Sequence, residues 1–234
     1  MRLLPLLIVI ASARFVPGET DSSFRVLRVG TFHEDEAALG DEGLWYALIV
    51  SGADSYLQRV RVSVKPVHDE LDDDPSSLTG RLVTSDARPD PLYFLRGKVF
   101  EEGRVSTVGA TPVELAIGKS VVLGSVEFVI GILDSSLVGE QRQYQLVLQL
   151  SSGGEQQAAA TYTGYRDRDG PIQFASEHNP EVLWAGDLDG DGRVDFLLDT
   201  SDHYNVEEST LYLSTQAPGG SLVKEVARFR AVGC

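Results

Sequence analysis

The stretch RVRVSVK, residues 59–65, alternates apolar and polar side chains with a period of two. Val60, Val62 and Val64 share one side of this pattern, and charged or hydroxyl side chains share the other. An extended strand directs successive side chains to opposite faces, whereas a helix needs apolar residues every three to four positions. The stretch therefore predicts a β-strand with one buried and one solvated face.

Similar β-rich segments recur along the chain and are separated by turn residues. Tyr144, Leu146, Leu148 and Leu150 alternate with a set of residues that includes Gln143, Gln145 and Gln149, and glycine pairs stand at 153–154 and 219–220. Short strands divided by glycine-containing turns are typical of all-β proteins. We therefore predict an all-β fold, with further strands at 24–29, 45–50, 92–95, 105–108, 113–117, 121–132, 182–184, 194–198 and 211–213.

Three segments are open to more than one interpretation. The small and polar residues 151–160 could form a linker, but residues 144–150 and 157–162 would also pair across them as a hairpin. Residues 222–229 fit a helix, or a strand paired with 211–214. The acidic stretch HDELDDDPSS, residues 68–77, predicts a solvated loop. The alternative is a second cation site, but its acids do not alternate as a chelating loop requires.

The N-terminus has the features of an export signal. Arg2 precedes an apolar run over residues 3–10, and Ala11-Ser12-Ala13 fits the small residues at a signal peptidase site. We predict a signal peptide over residues 1–13 and a secreted or periplasmic protein, the alternative being a buried first strand. No later run of eighteen apolar residues occurs, so we expect no membrane insertion after cleavage.

Charge and cysteine content restrict the possible partners. The chain carries 35 acidic and 20 basic residues, for a net charge of −15. Such a surface repels nucleic-acid phosphates and anionic lipids, so nucleic acid is not an expected partner. The single cysteine, Cys234, excludes an internal disulfide and leaves either a free thiol or a disulfide-linked dimer.

The stretch GDLDGDGRVDFLLD, residues 186–199, places four aspartates within nine positions: Asp187, Asp189, Asp191 and Asp195. Counted from the first, they occupy positions 1, 3, 5 and 9, with Gly192 at 6 and the Arg193 carbonyl at 7. Leu198 occupies position 12, where a helical calcium hand needs glutamate, so the loop leads into a strand. The alternative is a solvated Asp/Gly turn without metal.

The ligand types in this loop indicate a hard cation. Carboxylate and carbonyl oxygens, without histidine or cysteine, favour calcium over zinc or copper, and six or seven close oxygens suit calcium better than magnesium. We therefore predict Ca²⁺ as the bound ion, with Asp187, Asp189, Asp191, the Arg193 carbonyl and Asp195 as its ligands.

The segment 187–198 resembles the calcium loop of FG-GAP repeats, which build the propeller blades of integrin α-subunits, and of related VCBS-type repeats in bacterial secreted proteins. The resemblance implies that the four aspartates and the Arg193 carbonyl chelate calcium. The loop occurs once, and the Phe-Gly and Gly-Ala-Pro elements are absent. Repeat folds need several copies to bury a core, so we expect a β-sandwich-like body over 20–164 and a single FG-GAP-like β module over 165–234.

Motifs of catalysis are absent from the sequence. It contains no Gly-x-Ser-x-Gly elbow, His-Glu-x-x-His helix, phosphate loop or dinucleotide fingerprint. His203 is the histidine best placed to pair with a carboxylate, although a surface or strand-end histidine is the commoner case. We predict an exported, non-catalytic calcium-binding protein that recognises a protein or carbohydrate partner. The alternative is a secreted hydrolase of extracellular polymers with structural calcium and a convergent pair of buried acids.

Overall fold

Seventeen β-strands and one 3₁₀ turn, Leu39–Asp41, form the regular structure of the described residues. The computed structural model describes residues 23–33, 35–138, 141–166 and 170–233. The all-β prediction is confirmed. The strands are β1 (Arg25–Leu27), β2 (Gly30–Phe32), β3 (Gly43–Ser51), β4 (Asp54–Val67), β5 (Gly80–Ser85), β6 (Tyr93–Arg96), β7 (Gly103–Gly109), β8 (Val113–Glu114), β9 (Ser120–Leu123), β10 (Val126–Val138), β11 (Gln141–Ser152), β12 (Glu155–Arg166), β13 (Gln173–Phe174), β14 (Glu181–Asp187), β15 (Asp195–Asp199), β16 (Val206–Leu213) and β17 (Lys224–Val232).

The larger of the two sheets has twelve strands and is nearly closed into a barrel. Its main path runs β1-β6-β3-β4-β7-β14-β15-β16-β17, with β5 on β4, β2 on β5 and β8 on β14. β1 and β17, at the two ends of this path, lie against each other. The apolar face of the opening stretch, represented by Val60 and Val62, is buried in the barrel core beside Trp45 and Phe94.

The smaller sheet has five strands in the order β13-β12-β11-β10-β9 and forms a half-barrel. It packs against the larger sheet through a second apolar core. In that core the rings of Phe128 and Phe196 meet edge to face with their centroids 5.2 Å apart. Aromatic pairs favour this arrangement because the positive edge of one ring meets the negative face of the other.

Strands β14, β15 and β16 separate the two cores and are buried on both faces. Trp184, Leu197 and Leu211 belong to the barrel core, whereas Phe196 and Leu198 belong to the second core. A strand covered on both faces reads as a continuous apolar run instead of an alternating one. This explains the segment FLL at 196–198, and it makes these strands a wall shared by the two cores.

Two of the three segments left open by the sequence belong to strands or to the hairpin between them, and the third is a loop. Residues 222–229 contribute to β17, where Leu211 pairs with Ala227 across the predicted turn. The hairpin around 151–156 is confirmed by the pairing of Leu150 with Gln157. The segment 121–132 is divided into β9 and β10 by a turn at Gly124, whose φ of 59° is in the left-handed region that glycine tolerates. Residues 68–77 lie in the connection between β4 and β5, as predicted.

Strands from both sides of residue 164 belong to the larger sheet. β14 pairs with β7 and β8, and the half-barrel strands lie between β8 and β14 in the sequence. The domain division at residue 164 stays a prediction. The predicted signal peptide, residues 1–13, and Cys234 lie outside the described residues. Within the described ranges, no helix has the length and apolarity needed to cross a membrane.

Candidate metal centre

The acidic loop connects β14, which ends at Asp187, to β15, which begins at Asp195. The Asp187 carboxylate organises the loop by accepting three backbone N–H groups. Its Oδ1 accepts from Gly190 at 2.8 Å and Asp191 at 3.0 Å, and its Oδ2 accepts from Gly192 at 2.9 Å. Gly190 and Gly192 have φ values of 77° and 80°, a conformation that residues with a Cβ rarely adopt. The glycine spacing therefore serves the backbone of this turn.

Asp195 is a fully buried carboxylate, with 0% of its surface exposed. Its Oδ2 accepts the Leu188 N–H at 2.7 Å, and its Oδ1 accepts the Ser214 N–H at 2.7 Å. The side chain thus joins the acidic loop to the turn that follows β16. Burial raises the pKa of Asp195 to about 7, and the nearby charge of Asp189 acts in the same direction, although its hydrogen bonds oppose the shift.

Asp189 has one oxygen in use and one without a partner. Its Oδ2 accepts the Thr215 hydroxyl at 2.5 Å. Its Oδ1 is buried and makes no hydrogen bond to any described residue. Burial, aided by the charges of Asp191 and Asp187, raises the pKa of Asp189. A buried oxygen left without a partner costs free energy, so this atom is one that a bound cation would satisfy.

Three of the predicted ligands converge at this point of the loop. Asp187, Asp189 and Asp195 each place a carboxylate oxygen within 4.8 Å of the others. Like charges at this separation repel, and a cation between them would remove the repulsion. The donors are all oxygen, which is the ligand type of a hard cation such as calcium. The residues present therefore fit the ion that the sequence predicts.

Asp191 and Arg193 face each other at the edge of the three-carboxylate cluster. The Asp191 Oδ2 accepts the Arg193 Nε–H at 2.7 Å, and its Oδ1 accepts the Ser214 hydroxyl at 3.0 Å. Although burial acts to raise the pKa of Asp191, the hydrogen bonds from Arg193 and Ser214 lower it overall. The fourth predicted carboxylate is thus occupied by neighbouring side chains in this structure.

Ser214 and Thr215 are site residues that sequence reasoning missed. Both follow β16, and both bond to aspartates of the acidic loop. The Ser214 carbonyl also accepts the Arg193 Nη2–H at 2.7 Å. The sequence indicates their position only indirectly. Residues 194–198 and 211–213 are predicted strands, and pairing of these strands brings the acidic loop and the turn after residue 213 to the same end.

The structure pairs histidines other than His203 with carboxylates. The Nδ1 of His33 is 2.6 Å from Asp69 Oδ2, and the Nε2 of His178 is 2.9 Å from Asp199 Oδ2. His203 instead contacts the amide oxygen of Asn205. Among the described histidines His203 is therefore not the one that pairs with a carboxylate, and its exposed side chain agrees with the alternative of a surface histidine.

Comparisons of the chain with protein-family models, curated proteins and solved structures found no match. The resemblance of residues 187–198 to an FG-GAP calcium loop therefore remains a prediction from the motif.

Proposed function

We propose that this protein is an exported, non-catalytic β protein whose acidic loop binds calcium. The observation that carries the proposal is the convergence of Asp187, Asp189 and Asp195, which includes a fully buried carboxylate and an unpartnered buried oxygen. Burying ionised carboxylates costs several kcal/mol each unless a counter-charge is present. Calcium would supply that counter-charge at this position.

Calcium binding would stabilise the contact between two turns. Asp195 accepts the Ser214 N–H and Asp189 accepts the Thr215 hydroxyl, so the same carboxylates contact the acidic loop and the turn between β16 and β17. The spacing of the loop and the FG-GAP resemblance both add Asp191 and the Arg193 carbonyl to the ligand set, and Asp191 would have to exchange its bonds to Arg193 and Ser214 for the ion. We propose that the two ordered turns form part of a recognition surface for a protein or carbohydrate partner.

The alternative, a secreted hydrolase, gains no support from the buried glutamates. Glu208 and Glu225 are buried, but Arg228 binds both, with Nη1 at 3.0 Å from the first and Nη2 at 2.9 Å from the second. Arg230 Nη1 also lies 3.0 Å from Glu208. Glycosidase chemistry requires one carboxyl as a proton donor and one as a base or nucleophile, and an acid paired with arginine is poorly suited to donate the proton.

Calcium is expected to raise the melting temperature of the protein, and chelator is expected to lower it. A ligand that binds only the folded state adds RT ln(1 + [L]/Kd), which is about 2.7 kcal/mol at one hundred times Kd. Asp189→Asn should abolish this shift, and Asp90→Asn, the same charge change at an exposed site, should preserve it. Identical melting curves of the unmodified protein in millimolar calcium and in chelator would contradict the proposal.

Substitutions of the facing pair Asp191 and Arg193 are expected to differ in their effects on calcium affinity. Asp191→Ala removes a carboxylate and should weaken binding at least tenfold, because each charged ligand adds strongly to calcium affinity. Arg193→Ala removes a competing cation and frees Asp191, so it should leave the affinity unchanged or raise it. Calorimetric titration measures the calcium affinity of both variants. If Arg193→Ala lost as much affinity as Asp191→Ala, direct chelation by Asp191 would be excluded.

A further inference from the structure

A second concave site lies between the end of β2, the start of the 68–79 loop and the facing ends of β16 and β17. Its cavity has a volume of about 680 Å³, which is within the range of small-molecule sites. Phe32, Val67 and Val206 give it an apolar lining. The acidic loop contributes none of the described residues that line it, so this pocket is separate from the candidate metal centre.

Carboxylates outnumber basic side chains around the pocket, where His33 and His68 are the basic residues among the described lining residues. Four carboxylates line it, whereas no lysine or arginine occurs among its described lining residues. Arg28 reaches one of the four from outside the pocket and forms an ion pair with it. The excess of negative charge repels phosphates and carboxylates and attracts cations. The net charge of the whole chain is also negative and acts in the same way. The carboxylates are Glu36, Asp69, Glu70 and Glu207.

The contacts of His33 indicate that the pocket wall stabilises positive charge. Its Nδ1 lies 2.6 Å from Asp69 Oδ2, and its backbone N–H donates to Glu36 Oε2 at 2.8 Å. The hydrogen bond to Asp69 raises the pKa of His33, and the charges of Glu36 and Asp69 act in the same direction against the effect of burial. Glu36 is held in place because its Oε1 also accepts the Val232 N–H at 2.5 Å.

Tyr204 adds an aromatic surface to the rim of the pocket. Its side chain is 65% exposed, and its ring lies beside that of His203 with 4.3 Å between centroids. The face of a tyrosine ring attracts ammonium groups, and the apolar lining suits a methylene chain. We propose that this pocket binds an aliphatic ammonium group, as carried by a lysine side chain or a free diamine.

The proposal is tested by calorimetric titration at low ionic strength in millimolar calcium. The probes are 1,5-diaminopentane, N-acetyl-lysine methylamide, 1,5-pentanediol and glutarate. We expect the diamine to bind at least tenfold more tightly than the diol, and glutarate not to bind. Lysine amide binding as tightly as the diamine would assign the site to a side chain of a polypeptide, whereas much weaker binding would assign it to a free diamine. Equal binding of diamine and diol, or no binding of either amine, would overturn the proposal.

Surface variants locate the binding within the chain. Glu70→Gln and Tyr204→Ala should each lower the affinity for the diamine about threefold, as expected for a single exposed charge or a single exposed cation–π contact. Glu101→Gln is the matched control, since Glu101 is exposed and lies outside the pocket. Unchanged affinity in both pocket variants would place the binding elsewhere and overturn the assignment. The titration is then repeated with Asp189→Asn in chelator, where the acidic loop binds no calcium. Amine binding that persists there is independent of the calcium proposal.

Discussion

In chelator, the free energy of unfolding is expected to fall by up to about 4 kcal/mol as the pH rises from about 4 to about 8. The cause is Asp195, whose pKa is about 7 in the folded protein and close to 3.8 in the unfolded chain. Between these values the folded state binds the additional proton. Its stabilising effect is therefore complete below the unfolded pKa and is lost as the pH rises through the folded one.

Calcium should remove this dependence over the same range. The ion binds the ionised carboxylates, so its contribution to stability grows as the protons leave Asp189 and Asp195. His33 also has a raised pKa, but its effect is the same with and without the ion and cancels in the difference. Urea denaturation at several pH values, in calcium and in chelator, measures the two dependences. Parallel curves would show that these carboxylates do not take up the ion.

Gly186→Ala is expected to destabilise the protein by about 3 kcal/mol, at the upper end of overpacking effects. A Cβ at this position would lie 2.3 Å from the carbonyl oxygen of Ser106 and 2.5 Å from the Trp184 ring. The first contact is with the backbone of β7, which pairs with β14 here, so the strands themselves would have to separate.

Gly219→Ala is the matched control for that substitution, because no atom lies within 4 Å of the added Cβ in that exposed turn. Thermal unfolding of both variants in saturating calcium gives the comparison. Because Gly186 precedes Asp187 directly, the alanine should also weaken calcium binding by displacing the start of the loop. Similar melting temperatures for the two variants would mean that β7 and β14 are less closely packed than the structure indicates.

Local patterns in the sequence were sufficient for the strands but not for their arrangement. Val60, Val62 and Val64 alternate because one face of β4 is buried and the other is solvated. The apolar run at 194–198 predicted a strand as well, but a sequence does not specify which core each face meets. That assignment depends on strands distant in the chain, such as β7 beside β14 and β1 against β17.

The candidate site shows the same division between local and distant information. The aspartates, Gly190 and Gly192 serve a single turn. Their spacing could therefore be predicted from the local sequence alone. Ser214 and Thr215 contact the loop only because β15 and β16 pair. The partner of Asp191 was also missed, since Arg193 was considered for its carbonyl and its guanidinium reaches back to that carboxylate.

The order of strands in the larger sheet has a consequence for how the barrel assembles. Its wall comes from two separate parts of the chain, β1 to β8 and β14 to β17, and the half-barrel strands are inserted between them. Until β14 arrives, β7 has an unpaired edge, and unpaired edges are prone to association with other chains. Contacts between residues this far apart in sequence form slowly because the intervening chain must first be ordered. We therefore expect barrel closure to be a late event in folding, with the half-barrel strands already available to cover β15 and β16 when it occurs.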